Sequence, residues 1–363
     1  MNDNASAAAS SAATIGSGRD TTVSIARGIA IAAMVLGHCT GNDVVGALIY
    51  IWHMPLFFFF SGYFFNEDKY EPRAYLWRKV KTLYWPFVFW IGLVLLLHNW
   101  LIDIHLYPPP YYNLKEALHH FAVEAISYGG HVSFLGTFWF LNALFAVNII
   151  AYAVARPLRR VVTVERRWLM WVVIAVVSLA LTLNASYAGR WGRTYMYPYA
   201  LAFFAAGCLM KNVNMRDVRL LVACAVILCF RGHLQRTGMG HRAYDEVLTY
   251  FIFALCGIVI VYNAAALIAK SERAARVMAY LGDNTLPIVI LHFMCFRLVT
   301  VVYVFAYDKP LEMLGSHPTV ETESVAWRTA YFIVGIALPL LLYEAYKRVC
   351  RALQSCSEIR RQT

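Results

Sequence analysis

Long apolar runs, broken by short and mostly basic connections, recur along the whole chain. A helix needs about 20 apolar residues to cross a hydrocarbon layer roughly 30 Å thick. Ten segments of this kind are predicted, near residues 23–40, 44–65, 84–101, 136–155, 168–184, 195–211, 217–231, 247–269, 285–306 and 327–346. The seventh is short and ends at Arg231. The pattern predicts an all-α, polytopic integral membrane bundle of about ten transmembrane helices. Residues 1–20 are rich in Ala, Ser and Asn and lack a basic stretch followed by a cleavage site, so they read as a disordered tail and not a signal peptide. The membrane domain then covers 21–349, and a basic tail covers 350–363. No internal repeat and no appended soluble domain is evident.

Composition strengthens this reading. The chain is 60% hydrophobic and 15% charged, with a mean hydropathy of +0.54; a soluble domain carries about 25% charged residues. The net charge of +11 would raise nucleic acid as a partner of a soluble protein. Here the cations sit in short loops, which points to topology and to anionic lipid headgroups instead. Arg73, Arg78, Lys79 and Lys81 share one loop, and Arg156, Arg159, Arg160, Arg166 and Arg167 another. Further basic clusters follow at 211–219, 270–276 and from Lys347. With ten spans all of these fall on one side, which the positive-inside rule makes the cytoplasm, together with both termini. The loop holding Arg231, Arg236 and Arg242 is the exception. The expected location is the cytoplasmic (inner) membrane, as a multi-pass protein. The eight cysteines lie mostly in apolar runs without a C-x-x-C pair, and read as small hydrophobes.

The largest outer loop runs from about residue 103 to 135. Asn113 followed by Glu116 resembles a capping box opening a short helix. Leu114, Leu118, Phe121, Ala125 and Ile126 share one face of it, which suggests a helix lying on the outer membrane surface.

Ionisable groups within apolar segments are expensive and are functional candidates by default. Arg27 and His38 lie eleven positions apart in the first span, so both fall on one helical face, roughly 16 Å apart. A guanidinium suits a phosphate or carboxylate, although an arginine snorkelling to the interface is the plainer explanation for Arg27 alone. A histidine can remove a hydroxyl proton at neutral pH. His53, beside Pro55 in the second span, and His292 in the ninth add two more histidines at membrane depth. They could converge on one cavity with His38; no pair has H-E-x-x-H spacing, so no metal is expected. Ser61, which precedes Gly62 and ends a run of four phenylalanines, reads as packing or substrate positioning. Trp139 and Asn142 open the fourth span, where a Trp serves either as a membrane anchor or as a stacking platform. Arg78 and Lys81 sit where an anionic cytosolic molecule would arrive.

Together these residues resemble the membrane acyltransferase 3 family. Arg27 and His38 match its R-x10-H pattern, and Phe59 to Tyr63 is similar to its FF-x-x-SG element in compressed form. Trp139 to Leu141 looks like its WFL segment. Gly282 to His292 is similar to its late G-x-x-S-x…H segment, with Thr285 where Ser is usual. Arg78 and Lys81 resemble its basic pair, with Lys in place of the second Arg. Residues 26–38 and 53–58 look most like the branch related to fucose 4-O-acetylases.

The resemblance implies an O-acyltransferase that moves an acyl group, most simply acetyl, from acetyl-CoA or another acyl-CoA to a hydroxyl of a surface or exported carbohydrate. No permanently bound cofactor is implied, since the acyl-CoA is a donor substrate. Arg27, Arg78 and Lys81 would hold the donor. Arg27 and His38 would be catalytic, with His38 as general base or transient acyl carrier. His53, Ser61, Trp139, Asn142 and His292 would line the substrate site. Expected partners are a carbohydrate or glycolipid acceptor, the bilayer and polysaccharide-assembly machinery. The same buried ionisable groups also suit a glycolipid or polysaccharide transporter or flippase without acyl transfer.

Overall fold

A computed structural model of the chain describes residues 20–127, 135–188, 196–230, 239, 246–316, 318–320, 322 and 324–362. The loop cations Arg231, Arg236 and Arg242 and the tail before Asp20 lie outside these. Among the described residues all regular structure is helical. In chain order the helices are α1 (Thr21–Cys39), α2 (Asp43–Tyr63), α3 (Pro72–Lys79), α4 (Trp85–Asp103), α5 (Leu114–Ser127), α6 (Trp139–Leu158), α7 (Arg167–Ala188), α8 (Met196–Leu209), α9 (Val218–Cys229), α10 (Val247–Ile268), α11 (Glu272–Asp283), α12 (Thr285–Ala306), α13 (Met313–Ser316) and α14 (Val325–Gln362). Side-chain caps start several of them. Asp20 accepts from the amides of Thr22 and Val23, and Asn42 from those of Val44 and Val45. Gly41, at φ +58°, makes the turn between α1 and α2.

Each predicted span falls on a helix, and among the described residues eight helices are long and apolar enough to cross a membrane. The predicted spans 195–211 and 217–231 correspond to α8, of 14 residues, and α9, of 12. At 1.5 Å per residue the described helices are about 21 and 18 Å long. The α8 helix is packed inside the bundle rather than against lipid. Ala200, Phe203, Phe204 and Ala205 are fully buried, with α2, α6 and α7 packed around them.

Two glycine crossings set the bundle. At the α1–α11 crossing, a Cβ on Gly28 would lie 2.0 Å from the Met278 carbonyl oxygen, and one on Gly282 1.7 Å from that of Ser24. At the α2–α8 crossing, a Cβ on Gly62 would lie 1.9 Å from the Phe204 oxygen, and one on Gly207 1.9 Å from that of Phe59. Only glycine permits this approach. The Ser61–Gly62 element is therefore a helix contact at Gly62.

A π-helical turn, Val80–Tyr84, joins α3 to α4 without a break, giving an apolar helix over Pro72–Asp103. Pro86 has no N–H for the carbonyl of Thr82 and would clash with it in a regular helix, and the wider turn sits at this point.

The α5 helix begins with the expected capping box: Asn113 N–H donates to Glu116 Oε2 at 2.8 Å and Glu116 N–H to Asn113 Oδ1 at 3.0 Å. It does not lie alone on a surface, as its apolar face suggests. It runs back antiparallel along α4. Asn99 exchanges two hydrogen bonds with the backbone of Tyr112, Phe121 packs over Gly92, and Tyr84 Oη donates to the Ala125 carbonyl. Phe121 and Ala125 turn inward, while Leu114 and Ile126 stay 77% and 78% exposed. Sequence periodicity gives the helix a face but not the partner it packs on.

Candidate active site

Near the basic loops, a cavity of about 510 Å³ opens between α1, α2, α3, the π turn and α6. Arg27, Lys69, Arg78 and Lys79 line it, and no lining residue is acidic. The half-buried Arg27 donates from Nη2 to Thr285 Oγ1 at 3.4 Å. Arg78 donates to Tyr70 Oη at 2.5 Å and stacks over its ring at 5.0 Å. Lys79 lies over the Tyr75 ring at 5.4 Å. The predicted Lys81 is exposed and does not line the cavity. The cavity face of this helix follows Tyr75, Lys79 and Leu83, and Lys81 is roughly 160° around from Lys79.

Ser61 also lines the cavity, but its hydroxyl is committed to Asn148 Oδ1 at 3.1 Å. Tyr75 Oη donates to the same oxygen at 3.1 Å, while Asn148 Nδ2 donates to the Leu144 carbonyl at 2.7 Å. Asn148 is the polar hub of this wall. It is missed by motif reasoning, although a buried Asn within an apolar run was the available signal.

The acids of this region are engaged elsewhere. Arg156 pairs with Glu71 at 2.9 Å, Arg159 with Asp68, and Arg167 with Glu67 at 3.2 Å and Asp68 at 3.4 Å. Arg156 also donates to the carbonyls of Glu67 and Tyr70, and Lys211 to that of Phe65. The loop between α2 and α3 is thus clamped by cations from three helices, and its acids are neutralised outside the cavity. Lys69 and Tyr70, in the same loop, face inward.

A second cluster lies about three turns further along the same face of α1. The ring of His38 is 5.6 Å from that of His292, 4.9 Å from Phe293 and 6.1 Å from Tyr50, measured between centroids. Tyr50 lies 5.3 Å from His53 and donates to the Gly37 carbonyl at 2.9 Å. His53 Nδ1 bonds the Ile49 carbonyl at 2.9 Å, and His292 Nδ1 that of Ile288 at 2.8 Å. His53 and His292 are 4% and 0% exposed, and His38 is half-buried. Three histidines from α1, α2 and α12 therefore gather around Tyr50 and Phe293. Among the described residues no group of three or more His, Cys, Asp or Glu side chains is placed to hold a metal ion. Trp139 and Asn142 lie on a separate flank: Trp139 packs against Phe58, and the buried Asn142 accepts from Tyr197 Oη.

Residues 21–344 match the acyltransferase domain family. The chain belongs to this family. It is a multi-pass membrane acyltransferase. It is also 26% identical over 320 residues to the nodulation protein NolL of Mesorhizobium japonicum, a match covering 78% of each chain. No solved structure matches it. In this acyltransferase the matched region contains both clusters: four cations around an acid-free cavity, and a histidine group about 16 Å further along α1. The first can bind a polyanion. The second can accept a proton.

Proposed function

We propose that this acyltransferase moves an acyl group, in the simplest case acetyl, from cytosolic acyl-CoA to a hydroxyl of a surface or exported carbohydrate. The observation that carries the reading is the acid-free cavity holding Arg27, Lys69, Arg78 and Lys79. Coenzyme A presents a pyrophosphate and a ribose phosphate, which match clustered cations. The positive-inside rule places this end of the bundle, and both termini, in the cytoplasm, where acyl-CoA is made. The carbohydrate acceptor is supported by the likeness of residues 26–38 and 53–58 to the fucose 4-O-acetylase branch.

In this reaction His38 takes the proton of the acceptor hydroxyl. The oxygen attacks the thioester carbonyl, the C–S bond breaks, and the CoA thiolate leaves and is protonated. His53, His292, Trp139 and Asn142 shape the acceptor side. Ser61 forms cavity wall through Asn148, and Lys79 takes the donor-binding role that the motif suggested for Lys81.

The test uses the full chain in proteoliposomes with [14C]acetyl-CoA and a panel of fucosyl and other glycosyl lipids. Label is expected in the glycan, with a loss of 100-fold or more in kcat for His38→Ala. Glycan movement across the bilayer without acyl-CoA and without label transfer overturns the reading, as does full activity of the His38 variant.

A further inference from the structure

A groove of about 640 Å³ runs between α6 and α7, apart from the basic cavity and the histidine cluster. Both helices are long and apolar enough to span the membrane, and both pack on α8, which lies behind the gap. The groove therefore opens sideways into hydrocarbon. Its floor is buried, formed by Ala151 of α6, Met170 and Ser178 of α7, and Leu201 of α8. Val154, Val177 and Leu181 on its rims are exposed. Water is a poor filling, because the lining offers few polar groups to bond it. Left empty, the lining would forfeit its dispersion contacts on one side. A flexible hydrocarbon chain satisfies it.

One end of the groove is charged. Arg166 lines it there, at the end of the 3-10 turn Val164–Arg166 that leads into α7. No lining residue is acidic, and the neighbouring Glu165 is exposed and lies outside the lining. The other arginines of this loop have partners: Arg156 pairs with Glu71, Arg159 with Asp68, and Arg167 with Glu67 and Asp68. Among the described residues Arg160 and Arg166 form no ion pair, and both are exposed. The positive end of the α7 dipole lies at the same place.

The dimensions agree with one lipid tail. From Arg166 to Leu181 the lining follows fifteen residues of chain, or about 22 Å at 1.5 Å per residue. One leaflet is about half of a hydrocarbon core roughly 30 Å thick. A headgroup at Arg166 thus leaves the groove long enough to take a tail through its whole leaflet.

We propose that the α6–α7 groove is a binding site for an anionic phospholipid, with one acyl chain along the groove and the phosphate on Arg166. The bound lipid ties the two helices together at the loop whose other arginines clamp the α2–α3 loop. The site is separate from the acyl-transfer reading, and none of its tests measures acyl transfer.

The full chain is purified in dodecyl maltoside and titrated with palmitoyl-oleoyl phosphatidylglycerol. The controls are phosphatidylcholine with the same chains and soluble glycerol 3-phosphate. Native mass spectrometry reads retained lipid, and a thermal melt reads stability. Expected are one tightly retained phosphatidylglycerol, a melting temperature that rises with it, and little response to either control. Arg166→Gln is expected to weaken that binding about fivefold, the factor that one arginine contributes at an anionic lipid. The double variant Val154→Trp with Val177→Trp fills the groove from exposed rim positions and is expected to lose the retained lipid while Arg166 is intact. Equal retention of the two lipids overturns the proposal, as does unchanged phosphatidylglycerol binding in either variant. Stabilisation by glycerol 3-phosphate equal to that by the lipid also overturns it, since the groove then contributes nothing. A lipid-free dimer that the double variant breaks would give the groove to a second copy and overturn it as well. If the double variant does not fold, Arg166→Gln decides: a weakened preference for phosphatidylglycerol over phosphatidylcholine supports the proposal, and an unchanged one overturns it.

Discussion

Arg27 on α1 donates to Thr285 at the first turn of α12, which joins the cation of the basic cavity to the helix that carries His292. The bond is long, at 3.4 Å, and joins a charged donor to a neutral acceptor. A hydrogen bond to a charged group contributes about 1.5–3 kcal/mol at good geometry, and less when stretched. Thr285→Val is expected to raise the KM for acyl-CoA about threefold to tenfold with little change in kcat, and Thr285→Ser to restore it. Arg27→Ala is expected to raise that KM at least tenfold. Steady-state kinetics in proteoliposomes reads both.

Lys79 and Lys81 differ by two positions and face opposite ways. Lys79→Ala is expected to weaken acyl-CoA binding several-fold and to flatten its salt dependence. Lys81→Ala is expected to change neither. Binding titrations at two ionic strengths separate them, and equal effects would place the donor elsewhere.

The clamp on the α2–α3 loop predicts an unequal pair. Glu71 is 80% exposed, and a surface ion pair contributes about 0–1 kcal/mol. Arg156 holds Glu71 and also two backbone carbonyls that have few alternatives. Arg156→Ala is therefore expected to lower the melting temperature and raise the KM for acyl-CoA through the displaced Lys69 and Tyr70. Glu71→Ala is expected to do little of either. Comparable losses in the two variants would show that the ion pair, not the carbonyl contacts, holds the loop.

The α2–α8 crossing has no room for a side chain. Gly62→Ala brings a methyl group onto the Phe204 carbonyl, and overpacking of this kind costs about 1–3 kcal/mol or more. Gly62→Val is expected to leave little folded protein by fluorescence-detected gel filtration. Gly46→Ala is the control: its Cβ would meet the Tyr50 ring at an ordinary 3.5 Å, and that protein is expected to fold.

The parts of this molecule that local spacing determines were legible in the sequence. Arg27 and His38 align because eleven steps close three turns of one helix, and Asn113 with Glu116 caps α5 through neighbours three residues apart. Convergence of His38, His53 and His292 was foreseen only as one arrangement among several, because spacing within a helix does not say which helices meet. The Asn148 hub bonds Tyr75 and Ser61, 73 and 87 positions away, and a lone Asn in an apolar run does not reveal such distant partners. Lys79 was obscured by Lys81 because cavity-facing position depends on helix phase.

The π turn at Val80–Tyr84 governs that phase. Tyr75 and Ile91, sixteen residues apart, would point about 160° away from each other on an uninterrupted α-helix. Both are buried, and the under-wound turn between them shifts the phase of α4 relative to α3. The two halves of this long helix are therefore set against each other like gears, and the setting depends on residue count more than on residue identity. A substitution within the turn leaves the mesh intact. The loss of a single residue would rotate the entire α4 stripe of Phe87, Ile91, Val94 and His98 by about 100° relative to the cavity cations, with hardly any change in composition. In this protein the damaging lesion at that turn is a deletion.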